Sequence, residues 1–174
     1  MSDPSRPDDT ATPGTTRHRI AAISLDPGSI KRGNPNIEHE REVAIYDILE
    51  ANQFELAGRD DGPYSLVLGV VDDKLVFTAT PDAAAATNTE PAVIAVPMLP
   101  LRRVMKDYFL VCETYFEAIR SAPPSRIAQI DVGRRALHDE GANALVEKLD
   151  GKISVDTTTA RRLFTLVCAL HWRG

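Results

Sequence analysis

The chain has 174 residues, 43% hydrophobic and 26% charged, with a net charge of −5. That composition belongs to a globular domain of ordinary size that buries its own core, so it needs no covalent staples. Two cysteines, Cys112 and Cys168, each inside an apolar helix-like run, exclude a disulfide framework and point to buried free thiols in a reducing compartment, the cytoplasm.

Residues 1–17 are rich in Pro, Asp, Ser and Thr and hold no large apolar residue after Met1, so a disordered tail is expected ahead of a single α+β domain over 18–174. The start is not a secretory signal, and no run of about 18 apolar residues appears, so no membrane contact is expected. Ile20 to Leu25 reads as a strand ending in the turn Asp26-Pro27-Gly28. Asn36 is a plausible cap for a helix from Ile37 to Asn52, whose stripe Ile37, Ala44, Ile45, Ile48 and Ala51 also contains Arg41. Short strands follow at Phe54 to Ala57, Tyr64 to Val71 and Lys74 to Thr80, the last two flanking the hairpin signal Asp72-Asp73. Pro81 to Glu90 reads as a loose loop. Ala92 to Val96, bounded by Pro91 and Pro97, suits an edge strand.

The remainder is helical. Pro100 to Ser121 carries the stripe Leu101, Val104, Met105, Tyr108, Cys112, Tyr115, Phe116 and Ile119, with Leu110 on the opposite side. Pro123 opens a second helix to about Leu137, and after His138-Asp139-Glu140-Gly141 a third runs from Ala142 to Leu149, closed by Gly151. Lys152 to Val155 suits a short strand. A last helix, capped by Asp156 or Thr157, runs to about Trp172 and is apolar over more than half its circumference. The expected fold is α+β. A small antiparallel sheet from the N-terminal half packs against a C-terminal helical half, with an almost fully buried last helix.

The chemistry is sparse. No phosphate-binding glycine loop, paired CxxC, HExxH or nucleophile elbow is present, so no cofactor and no metal are expected. Residues 1–99 hold 8 Lys and Arg against 16 Asp and Glu, and residues 100–174 hold 12 against 9. That charge is too dilute for a nucleic-acid footprint. The best polar cluster is Asp131, Arg134, Arg135, His138, Asp139 and Glu140. There Asp131 reaches Arg134 at i+3 and Arg135 at i+4, and His138 beside carboxylates suits general acid or base work. The same residues fit a solvated helix end with its own ion pairs. Arg41 on an apolar stripe is either an anion anchor or a snorkelling arginine, with Asp131 and Glu113 as internal partners if it is buried. His171 suits a satisfied core histidine, and Trp172 suits either a seal on the domain or a contact surface.

The runs Ile37-Glu38-His39-Glu40-Arg41, Gly62-Pro63-Tyr64, Lys106-Asp107-Tyr108-Phe109, Gly133-Arg134-Arg135, His138-Asp139-Glu140-Gly141 and Ala160-Arg161-Arg162-Leu163-Phe164-Thr165-Leu166, with the ending His171-Trp172-Arg173-Gly174, together resemble a bacterial family of unknown function, uncharacterised protein family 0262. The resemblance runs from about Ile20 to the end. It implies a small cytoplasmic bacterial protein and carries no activity, catalytic residue or cofactor.

Two function classes follow from these residues. One is a non-enzymatic binding or regulatory domain that works through a protein partner or self-association, with Leu110 and Trp172 as its interaction surface. The other is an enzyme or small-anion binder using Arg41, Asp131, Arg134, Arg135, His138 and Glu140. A concave site that gathers those residues favours the second, and an apolar surface favours the first.

Overall fold

A computed structural model describes residues 17–82 and 90–171. The expected tail, most of the loop after Pro81, and Trp172 lie outside the described residues. In chain order the elements are β1 (Ile20–Leu25), α1 (Pro35–Glu50), β2 (Phe54–Leu56), β3 (Tyr64–Val71), β4 (Lys74–Pro81), β5 (Ala92–Pro97), α2 (Leu99–Ser121), α3 (Pro124–Leu149), β6 (Ile153–Val155) and α4 (Thr157–His171).

The main sheet is mixed, which corrects the expected antiparallel sheet. Its order is β1-β3-β4-β5, and β1 runs parallel to β3 while the other pairs are antiparallel. The crossover carries α1, as a parallel pairing requires a long connection. Asn52, just past α1, fixes the crossover by accepting from the Ile20 backbone N–H at 2.7 Å and donating to the Ile20 carbonyl at 3.0 Å. The β3–β4 hairpin turns on Asp72 and Asp73, with φ of 49° and 63°. Two left-handed residues are what a twisted two-residue hairpin demands, and aspartate tolerates that conformation. The strand β5 occupies an edge, as its flanking prolines suggest. A separate antiparallel pair joins β2 to β6.

The cap of α1 is Asn34, whose side chain accepts from the Ile37 N–H at 2.9 Å. Pro35 at the first helical position moves the start ahead of the expected Asn36, because proline is preorganised there. The polar stretch at His138–Gly141 does not break the chain. α3 is one helix of 26 residues that passes straight through Gly141. Gly141 is present because a Cβ there would lie under 3.0 Å from the ring of Phe164. It is a packing glycine and not a stop signal. The true stop is Gly151, at φ 77°. Asp156 caps α4 by accepting from the Thr159 N–H at 3.0 Å.

The buried face of the sheet supplies Tyr64, Leu66, Leu68, Leu75, Phe77 and Val96 to one core. The helices answer with Leu101, Met105, Leu145, Leu163, Phe164 and Leu166. Of α2, only Leu101, Val104, Met105 and Ala118 are buried, and of α3 only Gly141, Ala142, Leu145 and Leu149. The α2 C-terminal half and the α3 N-terminal half therefore form a two-helix arm beyond the body. Phe116 and Ile119, expected in the core, are 65% and 51% exposed. The apolar stripe of α2 is simply longer than the body that covers its first half.

Candidate functional site

The arm creates a groove. α1 packs on α4, α4 packs on α3, and α3 packs on α2, which leaves a gap between α1 and α2. Its volume is about 570 Å³. The floor is α4, through Thr165, Cys168 and Ala169. Val43, Ala44 and Asp47 of α1 form one wall, and Tyr108, Phe109, Cys112 and Phe116 of α2 form the other. Val43 at 44% and Phe116 at 65% exposure face solvent there. Phe109 and Glu113 also border a neighbouring hollow of about 620 Å³ that contains Leu110. Leu110 is exposed, as its helical phase requires.

The α3 cluster meets this groove in part. Asp131 holds Arg134 at 2.6 Å and Arg135 at 3.0 Å. The Arg134 guanidinium lines the groove, 5.0 Å from the centre of the Tyr115 ring. His138 packs edge-on against Tyr108 and Phe164. Its Nε2 lies 2.8 Å from Thr165 Oγ1, whose own hydrogen is directed to the Arg161 carbonyl at 3.1 Å. The direction of this hydrogen bond follows the imidazole tautomer. Glu140 is exposed on the same helix, and Asp139 pairs with Arg161 at 3.2 Å.

Arg41 is elsewhere. It is 5% exposed and belongs to α1. Its Nε donates to the Ala169 carbonyl at 3.1 Å, and its Nη1 to the Lys31 carbonyl at 3.0 Å and Glu38 Oε1 at 3.1 Å. Neither Asp131 nor Glu113 is its partner. The carboxylate comes from its own helix, one turn earlier. The six candidate polar residues thus divide into Arg41 on one side and the α3 group on the other. His171 is half-buried, with Nδ1 2.9 Å from the Val167 carbonyl.

The thiols and the Tyr108 hydroxyl of the groove, and His138 beside it, are held neutral. Burial pushes the Cys112 thiol up, partly offset by its hydrogen bond with Tyr108, and burial pushes Cys168 up further. The Tyr108 hydroxyl is raised by burial. Burial and then the Arg161 charge lower His138. A nucleophilic thiol needs the opposite shift. Among the described residues, no group of three or more His, Cys, Asp or Glu is placed to hold a metal ion. No helix among them is long and apolar enough to cross a membrane. The wall residues Val43, Cys112 and Phe116 and the floor residue Thr165 were not singled out from sequence as a site. The available signal was the length of the α2 stripe.

The fold and groove define a small α+β protein with an open apolar cleft, and sequence comparison places it among bacterial proteins. The chain belongs to the Uncharacterised protein family (UPF0262), which it matches over residues 17–173. It is 51% identical to the UPF0262 protein Atu0536 of Agrobacterium fabrum over 156 residues, 90% of this chain and 96% of that protein. It is 52% identical to the UPF0262 protein R00612 of Rhizobium meliloti over 156 residues, again 90% and 96% of the two chains. A UPF0262 protein of Rhodopseudomonas palustris is 46% identical over 165 residues, 95% of this chain and 99% of its own. No solved structure matches the chain significantly.

Proposed function

We propose that this protein is a non-enzymatic binding domain of the bacterial cytoplasm whose groove between α1 and α2 receives an apolar segment of a protein partner or of a second copy. The observation that carries this is the groove itself. An apolar stripe on α2 continues past the body, leaving Phe116 exposed beside Val43 across a cleft of about 570 Å³. A two-helix arm has no third layer to cover that stripe, and uncovered apolar faces mark contact sites. The neutral thiols, tyrosine and imidazole favour binding over catalysis.

A photo-crosslinking residue placed at Phe116 in living cells tests this. Defined crosslinked products are expected from position 116 and not from Asp60, which is exposed and does not line the groove. Replacing Val43 with Glu in the same chain is expected to abolish them. Equal crosslinking from both positions, or persistence in the Val43→Glu background, removes the groove from the function.

A further inference from the structure

We propose that a second cavity, at the carboxyl ends of β1 and β3, binds the phosphate group of a small organic phosphate. The loop leaving β1 is pinned across the end of β3. Asp26 N–H donates to the Leu68 carbonyl at 2.8 Å. Ser29 Oγ donates to Asp26 Oδ2 at 2.7 Å and accepts from the Val70 N–H at 3.1 Å. Beneath this loop is a cavity of about 320 Å³.

The lining is cationic. Lys31 and Arg32 come from the loop, Arg41 from α1 and Arg102 from α2, and the His171 imidazole of α4 adjoins them. Two carboxylates offset part of this, Glu38 on Arg41 and Asp73 on Arg102. Among the described residues, Lys31 and Arg32 have no carboxylate within 4.0 Å. Such convergence of cations from three elements runs against the background of a chain whose net charge is −5. It is also built from within, because buried Arg41 grips the Lys31 carbonyl and so fixes the backbone that presents Lys31 and Arg32. The start of α1 contributes little, since Asn34 caps it and Glu38 takes the Gly33 N–H at 2.6 Å. The cations are therefore the recognition element, and guanidinium with ammonium suits a phosphate.

The organic part follows from what adjoins the cavity. Arg102 and His171 also line the apolar hollow of Met105, Phe109 and Leu110. A ligand with its phosphate on Lys31 and Arg32 extends an apolar or aromatic body past Arg102 into that hollow. This site does not rest on the groove, which neither Lys31 nor Arg32 lines.

Calorimetry with inorganic phosphate and phenyl phosphate, and co-sedimentation with vesicles containing phosphatidate, test the assignment. Phenyl phosphate is expected to bind about ten-fold more tightly than inorganic phosphate, from burial of the ring. The double variant Lys31→Glu/Arg32→Glu, on exposed loop positions, is expected to keep the wild-type circular dichroism and lose at least about ten-fold in affinity. Arg126→Glu, on the exposed start of α3, is the charge control and is expected to bind as wild type. If only the vesicles bind, and the double variant does not, the phosphate belongs to a lipid headgroup and the site stands. Equal affinity for the two soluble probes overturns the organic part. No binding of any probe, or unchanged binding by the double variant, overturns the site.

Discussion

The same substitution at two glycines of α3 should shift stability in opposite directions. Gly133 and Gly141 both sit in helix interiors, where alanine is favoured by about 1 kcal/mol for lower unfolded-state entropy and better propensity. At Gly133 nothing lies within 4 Å of an added Cβ. Gly133→Ala should therefore gain roughly 0.5–1 kcal/mol, a rise in Tm of about 1–4 °C for a chain of this size. At Gly141 the added Cβ meets the ring of Phe164 under 3.0 Å, and Phe164 is fully buried against Tyr108 and His138. The ring has no solvent to move into. Overpacking costs about 1–3 kcal/mol, and a clash this close lies at the upper end, so the net loss is about 2 kcal/mol and about 4–8 °C in Tm. Thermal unfolding by circular dichroism measures both. The double variant Gly141→Ala/Phe164→Leu should recover part of the loss relative to Phe164→Leu alone, because the two sites share one space. Stabilisation by Gly141→Ala equal to that by Gly133→Ala would refute the packing of α3 on α4.

Arg41→Met should cost about 2–4 kcal/mol, read as a fall in Tm. The variant strands two carbonyls, while Glu38, still 29% exposed, keeps part of its hydration, so the loss falls short of a fully buried pair. A loss under about 1 kcal/mol would mean that Arg41 is an ordinary surface arginine. His138 should titrate below the ordinary imidazole value of about 6.5 in a proton NMR titration. The folded state then binds fewer protons than the unfolded one, so its contribution is complete above that value and is lost as pH falls through the depressed pKa. A midpoint at or above the ordinary value contradicts the burial of the ring. Cys112 and Cys168 should label slowly with a thiol reagent at neutral pH, because burial raises both. Fast labelling of Cys168 in the native state would show that the groove floor opens.

What was legible in the sequence was local. The Asp72-Asp73 hairpin, the edge prolines of β5 and the stripe that buries Arg41 each depend on neighbours within a few positions. The i+3 and i+4 pairs of Asp131 were legible for the same reason. What was missed depends on distant contacts. The parallel partner of β1 lies across a helix and a second strand, and nothing in Ile20 to Leu25 selects β3 over an antiparallel neighbour. Gly141 looked like a boundary because the ring that demands a glycine belongs to α4. The place of Arg41 on an apolar stripe was readable, but its burial and its partners were not. Two are backbone carbonyls, which residue types do not reveal, and the third is on the same helix. The convergence of Lys31 and Arg32 with Arg102 is equally invisible, since the loop and α2 meet only in the fold.

The central position of α4 has a consequence for how the protein is born. This helix packs against both α1 and α3 and supplies the centre of the core, yet it is the last of the described elements to be synthesised. At about 5–20 residues per second, the apolar stripe of α1 waits roughly 6–24 s between its own synthesis and that of its partner. The β2 strand waits similarly for β6. The nascent chain spends that interval with Ile37, Ala44 and Ile48 lacking their final cover, so the apolar face of α1 stays uncovered until α4 has been made.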